Sequence, residues 1–179
     1  PKRRSPDFSK ITFPGAGVSA LAAGPKTFAQ ISKSLFPMII SFDKMNQLRH
    51  VLFLKDKANI LLHMERHKQI IKPKFDAMRR LLAEGLAGCG PIAHWTDPKG
   101  GYFLSLYTLP GCAKRTVALC KEAGVVLTGA GAAYPYGVDP EDTNIRLAPT
   151  FPQLGEVEEA TKLLCIAVRL AAVEHLLGA

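Results

Sequence analysis

Two short segments at opposite ends of the chain carry residue types that can do chemistry. In Phe8-Ser9-Lys10-Ile11-Thr12, followed by Gly15-Ala16-Gly17, a lysine stands on a short stretch that leads into a glycine-rich turn. In Asn144-Ile145-Arg146-Leu147-Ala148-Pro149 an arginine stands in a strand-like run bounded by Pro140 and Pro149. A primary amine can form an imine with a carbonyl compound and then move a proton. A planar guanidinium can hold a carboxylate through two parallel hydrogen bonds. Each segment also has a plain reading. Lys10 beside Ser9 is ordinarily a solvated loop residue, and Arg146 is ordinarily an exposed strand arginine paired with Asp139 or Asp142.

Other constellations are weaker. His63 and His67 stand four residues apart on a helical pattern, as in a zinc site, but the protease motif needs glutamate directly after the first histidine and Met64 is there. The expectation is a solvated helix face and no metal. Gly129-Ala130-Gly131 lacks the lysine and hydroxyl residue of a phosphate loop. Tyr102 and Tyr134 either border a pocket or are core aromatics with a hydroxyl reaching solvent.

The elements that must position these residues are bounded by composition. At 179 residues with 47% hydrophobic side chains, the chain has material for one packed domain, or one domain plus part of another. The net charge is +8, from 23 basic against 15 acidic residues, and part of it sits in Lys2-Arg3-Arg4. No aromatic-interleaved basic stripe or recognition-helix pattern accompanies the charge, so nucleic acid is not the expected partner. Anionic small ligands account for the excess equally well. The four cysteines, Cys89, Cys112, Cys120 and Cys165, have no metal-ligand spacing and read as reduced thiols in a cytoplasmic protein. No apolar run reaches membrane-span length, and the basic N-terminus lacks the apolar stretch of a signal peptide. The chain begins in mid-pattern without methionine, which reads as a fragment.

Residues 7–13 read as a short strand ending at Pro14. Residues 18–36 are helix-compatible, with Pro25 suited to a helix start and Pro37 to its end. Asp43 suits an N-cap for a helix through Met45-Asn46-Gln47-Leu48-Arg49. Between Leu54 and Leu86, Leu61, Met64, Ile71, Phe75, Met78 and Leu82 recur at three- and four-residue steps, one face of a long helix that kinks or divides at Pro73. Strands are expected at 94–96, 101–107, 125–128 and 144–148, with a short helix over 112–123 ended by Gly124. A final amphipathic helix is expected over 155–177, its first turns carrying Glu156, Glu158 and Glu159. This order describes a helix-covered sheet of the α/β or α+β kind.

Read in that order, the chain resembles the C-terminal part of the fold-type I, pyridoxal-phosphate-dependent class I aminotransferases, nearest to the aspartate aminotransferase-like group with its MocR-type relatives. The likeness rests on Ser9-Lys10-Ile11-Thr12-Phe13-Pro14-Gly15-Ala16-Gly17-Val18, on Asn46-Gln47-Leu48-Arg49-His50, on Pro98-Lys99-Gly100-Gly101-Tyr102-Phe103, and on residues 142–152 around Asn144-Ile145-Arg146. It covers nearly the whole chain from Phe8 onward.

The resemblance implies a helix-covered small sheet with a long C-terminal helix, residues 1–50 being the tail of a large cofactor-binding domain and 51–179 a small domain. It implies that Lys10 forms the internal aldimine with pyridoxal phosphate and shuttles the proton between substrate and cofactor, that Ser9 helps bind the cofactor, and that Arg146 grips the substrate α-carboxylate. The implied substrates are an amino acid, aspartate among them, and a 2-oxo acid; the implied assembly is a homodimer. Two positions depart from the family. Asp7 stands where many members carry a phosphate-binding serine, and Val18 where many carry a phosphate-binding arginine. These departures, and the family's cofactor-holding N-terminal half that this sequence does not contain, keep a second expectation open: a non-catalytic small-domain remnant acting as a regulatory or partner-binding module.

Overall fold

The computed structural model describes residues 11–13 and 15–178. Ser9 and Lys10 therefore lie outside the described residues, as does the first part of the strand expected over 7–13. The chain forms two compact units, Pro1–Lys68 and Gln69–Ala179.

The first unit is helical. Helix α1 spans Pro25–Leu35, with Gly24 as N-cap and the proline in the first turn. There a proline's missing N–H costs nothing, because that donor has no intrahelical partner in any case. Helix α2 spans Lys44–Leu54, and the carboxylate of Asp43 accepts the N–H of Asn46 at 2.9 Å, as an N-cap should. Lys55, at φ 57°, turns the chain left-handed, and Asp56 then accepts the N–H of Asn59 at 2.8 Å to open the next helix. That backbone hydrogen bond is the leading reason the Asp56 carboxyl is held below its ordinary value. Ile11 and Thr12 lie in a turn and a bend, not in a strand; the Ile11 carbonyl, which a ladder would use, is bonded to His63 instead.

Helix α3 runs from Lys57 to Gly85 without a break at Pro73. Proline there removes the bond to the Gln69 carbonyl, but both residues are exposed, so water can take that carbonyl. The expected apolar face divides along the helix. Phe75, Met78 and Leu82 are buried, whereas Leu61 is 60% exposed.

The second unit is built on an antiparallel sheet ordered β1-β2-β3, with β1 at Ala93–Trp95, β2 at Leu104–Thr108 and β3 at Asn144–Leu147. Alternation puts Leu104, Leu106, Ile145 and Leu147 on one face, each almost wholly buried. They join one core with Phe75, Met78 and Leu82 of α3, Ala113 and Cys120 of α4 (Ala113–Glu122), and Val157, Leu164 and Val168 of α5 (Leu154–Leu177). Each such leucine or valine contributes about 1.5–3 kcal/mol by leaving water. Helix α5 opens with a capping box in which Gln153 and Glu156 satisfy each other's backbone N–H groups. Gly85 lets α3 approach α5, since a Cβ there would lie 2.7 Å from the Cys165 sulfur.

Two strand expectations are corrected. Residues 125–128 join no ladder; the Val125 N–H instead closes the end of α4 on the Cys120 carbonyl at 2.8 Å, and Val126 is 83% exposed. The strand expected from Gly101 starts at Leu104, because Gly101 takes φ 102°, outside the extended range of a strand. The unit is thus a helix-covered small antiparallel sheet with a long C-terminal helix, the α+β form of the expected class.

Candidate active-site residues and family

The side of the sheet turned away from the core is polar. Register pairs His94 with Tyr107 and Tyr107 with Asn144, and beside them Ser105 with Arg146. Period-two alternation therefore puts all five side chains on one face. His94 and Tyr107 stack, their rings 4.8 Å apart and 8° from parallel.

Arg146 is half-buried on this face, and its guanidinium lies over the Phe103 ring, 4.7 Å from the centroid. A cation over an aromatic face is attracted by the ring's quadrupole while its in-plane N–H donors stay open. The Nε of Arg146 is shielded from solvent and has no hydrogen-bond partner, and neither has the buried Oδ1 of Asn144. The two carboxylates that could have neutralised the arginine are engaged elsewhere. Asp139 accepts the N–H groups of Thr143 and Asn144, both at 2.8 Å, and that of Glu141 at 3.2 Å. Burial alone would push the Asp139 carboxyl up, but these backbone donors outweigh it and hold it below its ordinary value. Asp142 accepts the N–H of Lys114 at 3.2 Å, at the start of α4. Arg146 is in no ion pair among the described residues. The plain reading of a paired strand arginine is set aside. Nothing in the sequence pointed to the Phe103 contact, since Phe103 just precedes β2 and Arg146 lies on β3, far along the chain.

Tyr102 buries its hydroxyl without a partner, and burial raises its pKa. Two thiols are made unreactive by position: burial pushes Cys120 and Cys165 up to about 11.

Around Ile11–Phe13, in the first unit, a second polar and aromatic cluster forms. His50 is buried; its Nδ1 faces the Asn46 carbonyl at 2.8 Å and its Nε2 faces the Thr12 hydroxyl at 2.7 Å. His63 is half-buried, and its Nε2 meets the Ile11 carbonyl oxygen. The rings of His50, Phe13, Phe53, His63 and His67 touch in that order at centroid distances of 4.5–5.4 Å, and the Arg49 guanidinium covers Phe13 at 5.2 Å. The expectation of a solvated face for His63 and His67 fails here. Desolvation, and then the neighbouring His63, lower the pKa of His67.

Comparison with known proteins adds what the side chains alone do not give. The model of the aspartate amino-transferase family matches residues 5–179. The chain belongs to that family. It is 52% identical over 170 residues to a Mycolicibacterium smegmatis protein with a provisional aminotransferase name, covering 95% of this chain and 40% of that protein. It is 41% identical over 167 residues to an aspartate aminotransferase of Corynebacterium glutamicum, covering 93% and 38%. The crystal structure of an aspartate transaminase from Corynebacterium glutamicum superposes with a TM-score of 0.85 at 41% identity, over 94% of this chain and 39% of that one. The chain thus spans about two-fifths of the length of the curated relatives it matches. A Thermus thermophilus α-aminoadipate aminotransferase shares the fold, with a TM-score of 0.75 at 20% identity. The described residues accordingly form the C-terminal portion of the fold-type I transferase architecture.

Proposed function

We propose that this chain contributes the imine-forming lysine and the carboxylate clamp of a pyridoxal-phosphate-dependent aminotransferase, which moves an amino group between an amino acid and a 2-oxo acid. The observation that carries the reading is the state of Arg146: a guanidinium over the Phe103 ring, half out of water, in no ion pair among the described residues. Its Nε is shielded from solvent and has no hydrogen-bond partner, a donor that an arriving carboxylate would satisfy. An arginine whose anion arrives with the substrate does not need an ion pair of its own.

Part of the donor set that the cofactor needs is present in this chain, although Asp7 and Val18 depart from the family's phosphate-binding residues. Lys10 offers a primary amine to its aldehyde carbon, and Ser9 a hydroxyl toward its phosphate. When bound, pyridoxal phosphate supplies the electron sink that lets a Cα–H bond ionise. The protein's part is then to bind, orient and move a proton. Arg146 takes the α-carboxylate in a bidentate grip and so fixes the direction of the Cα–H bond. Lys10 accepts the α-proton and returns it at the cofactor's C4′. Asn144 and Tyr107, on the same face as Arg146, border the substrate. In this reading residues 1–50 belong to the larger cofactor domain and 51–179 to the small domain. The enzyme is a homodimer in the cytoplasm, where buried free thiols such as Cys112, Cys120 and Cys165 stay reduced. Aspartate as donor follows the name of the Corynebacterium glutamicum relative.

The test is Arg146→Ala beside Arg146→Lys in the enzyme containing this chain. The alanine variant is expected to lose about 3 kcal/mol of transition-state stabilisation in kcat/KM, the scale of charge-assisted bonds in a closed site. Lysine keeps the charge but not the fork, and restores only part of the loss. The absorbance of bound cofactor stays unchanged in both. Normal turnover in Arg146→Ala, or loss of that absorbance in a folded variant, removes Arg146 from this role.

A further inference from the structure

The residues that follow Lys10 are held by two histidines that no part of the proposed reaction uses. Ile11 and Thr12 have no ladder to bond to, yet both are anchored, and the anchors come from different helices: His50 from α2 and His63 from α3. We propose that His50 and His63 are positioning residues for Lys10, acting through the residues that directly follow it, Ile11 and Thr12. The proposal rests on the reading of Lys10 as the imine-forming amine.

The chemistry of the two rings fixes their protons. A carbonyl oxygen only accepts, so His50 carries its hydrogen on Nδ1, donated to the Asn46 carbonyl, and its bare Nε2 accepts the Thr12 hydroxyl. That tautomer is enforced from within α2, because Asn46 lies four residues before His50 on the same helix. By the same logic His63 carries its hydrogen on Nε2 and donates it to the Ile11 carbonyl. The rings are braced in turn. Phe13 meets His50 edge to face at 5.4 Å, and Phe53 meets His63 at 5.1 Å. Asn46 ties a third point of the same segment, donating its amide to the Ala16 carbonyl at 2.9 Å. Three side chains from two helices therefore hold the stretch from Ile11 to Ala16, which is far more than a solvated loop receives. A lysine side chain has four rotatable bonds and gains nothing from its own stem in this respect. Holding the residues that follow it is a means of limiting its range, and a misplacement of about 1 Å can cost on the order of 100-fold in rate.

The experiment uses the enzyme containing this chain, stripped of cofactor for the capture measurement and reloaded for turnover, and the variants His63→Phe and His63→Gln, with Lys10→Ala as reference. His63→Phe keeps the ring contacts with Phe53 and His67 but has no donor; the Nε2 of glutamine reproduces the donor. Two quantities are read: the rate at which added pyridoxal phosphate is captured on Lys10, by borohydride quenching and peptide mapping, and the split of kcat against KM. His63→Phe is expected to slow capture and lower kcat about tenfold, well inside the penalty for a misplaced group, with KM for the amino acid unchanged. His63→Gln is expected to recover most of both. Should His63→Phe fail to fold, Thr12→Val removes the hydroxyl that His50 holds, and a similar loss in kcat at constant KM is expected. Capture and kcat at normal level in His63→Phe, or equal losses in the phenylalanine and glutamine variants, overturn the proposal. If Lys10→Ala itself keeps capture and turnover, the underlying reading of Lys10 fails instead.

Discussion

The two units order themselves by opposite means. In Gln69–Ala179 a single apolar core closes over one face of the sheet, and Leu82, Leu104, Leu106 and Ile145 are fully buried. In Pro1–Lys68 the described residues that reach burial are Asn46, His50 and Leu54, two of them polar, while Met38, Ile40 and Met45 are 79%, 102% and 74% exposed. Hydrogen bonds and ring contacts shape the segment after Lys10; dispersion and the hydrophobic effect shape the sheet that carries Arg146. An apolar core tolerates no vacancy but specifies position only through packing. A directed network of N–H, O–H and carbonyl groups specifies position at modest net energy. The lysine segment is where position matters most, and there the polar solution is found.

This contrast can be broken by substitution. Leu106→Ala empties a fully buried site and is expected to cost about 2–5 kcal/mol in urea or thermal unfolding. Ile40→Ser, an equally apolar residue in the other unit, is expected to stay within about 0.5 kcal/mol. A comparable loss at both positions would erase the distinction. Gly85→Ala drives a methyl to within 2.7 Å of the Cys165 sulfur and is expected to cost about 1–3 kcal/mol by overpacking. The double variant with Cys165→Ala should recover much of that, a non-additivity readable in a mutant cycle. Asn46→Ala removes a buried amide that holds Ala16 and is expected to cost about 1 kcal/mol. Its sharper sign is faster amide exchange confined to the residues around Ala16.

The smallest effect is electrostatic. Arg115 grips Glu174 through two bonds of 2.7 and 2.9 Å on the surface between α4 and α5. The hydrogen bond from Arg115 holds the Glu174 carboxyl below its ordinary value. A carboxylate whose pKa is lowered on folding adds stability above its unfolded value, and that stability is lost as pH falls through the folded value. The difference between the native protein and Glu174→Gln should therefore be present at neutral pH, small as for exposed pairs, and vanish in acid. A difference that grows on acidification would contradict the sign.

Local chemistry made much of this fold legible in advance. Pro25 at a helix start, Asp43 as a cap, Gly124 as a stop and the alternation around Leu104 and Leu106 each act within a few residues, so short windows reveal them. The failures are those of partnership. Residues 125–128 have strand composition but their backbone N–H at Val125 is taken by α4. At the candidate site Arg146 could be named from its segment, but its seat on Phe103 could not. The bonds from His50 and His63 to Thr12 and Ile11 span 38 and 52 residues, beyond the reach of any periodicity.

The central claim is that Lys10 is the amine that takes the cofactor, and covalent trapping tests it most directly. The enzyme containing this chain is incubated with pyridoxal phosphate, reduced with borohydride, digested and mapped by mass. The pyridoxyl group is expected on the peptide containing Lys10, and is expected to be lost in Lys10→Ala. Stoichiometric label on another lysine, with Lys10 unmodified, would contradict it.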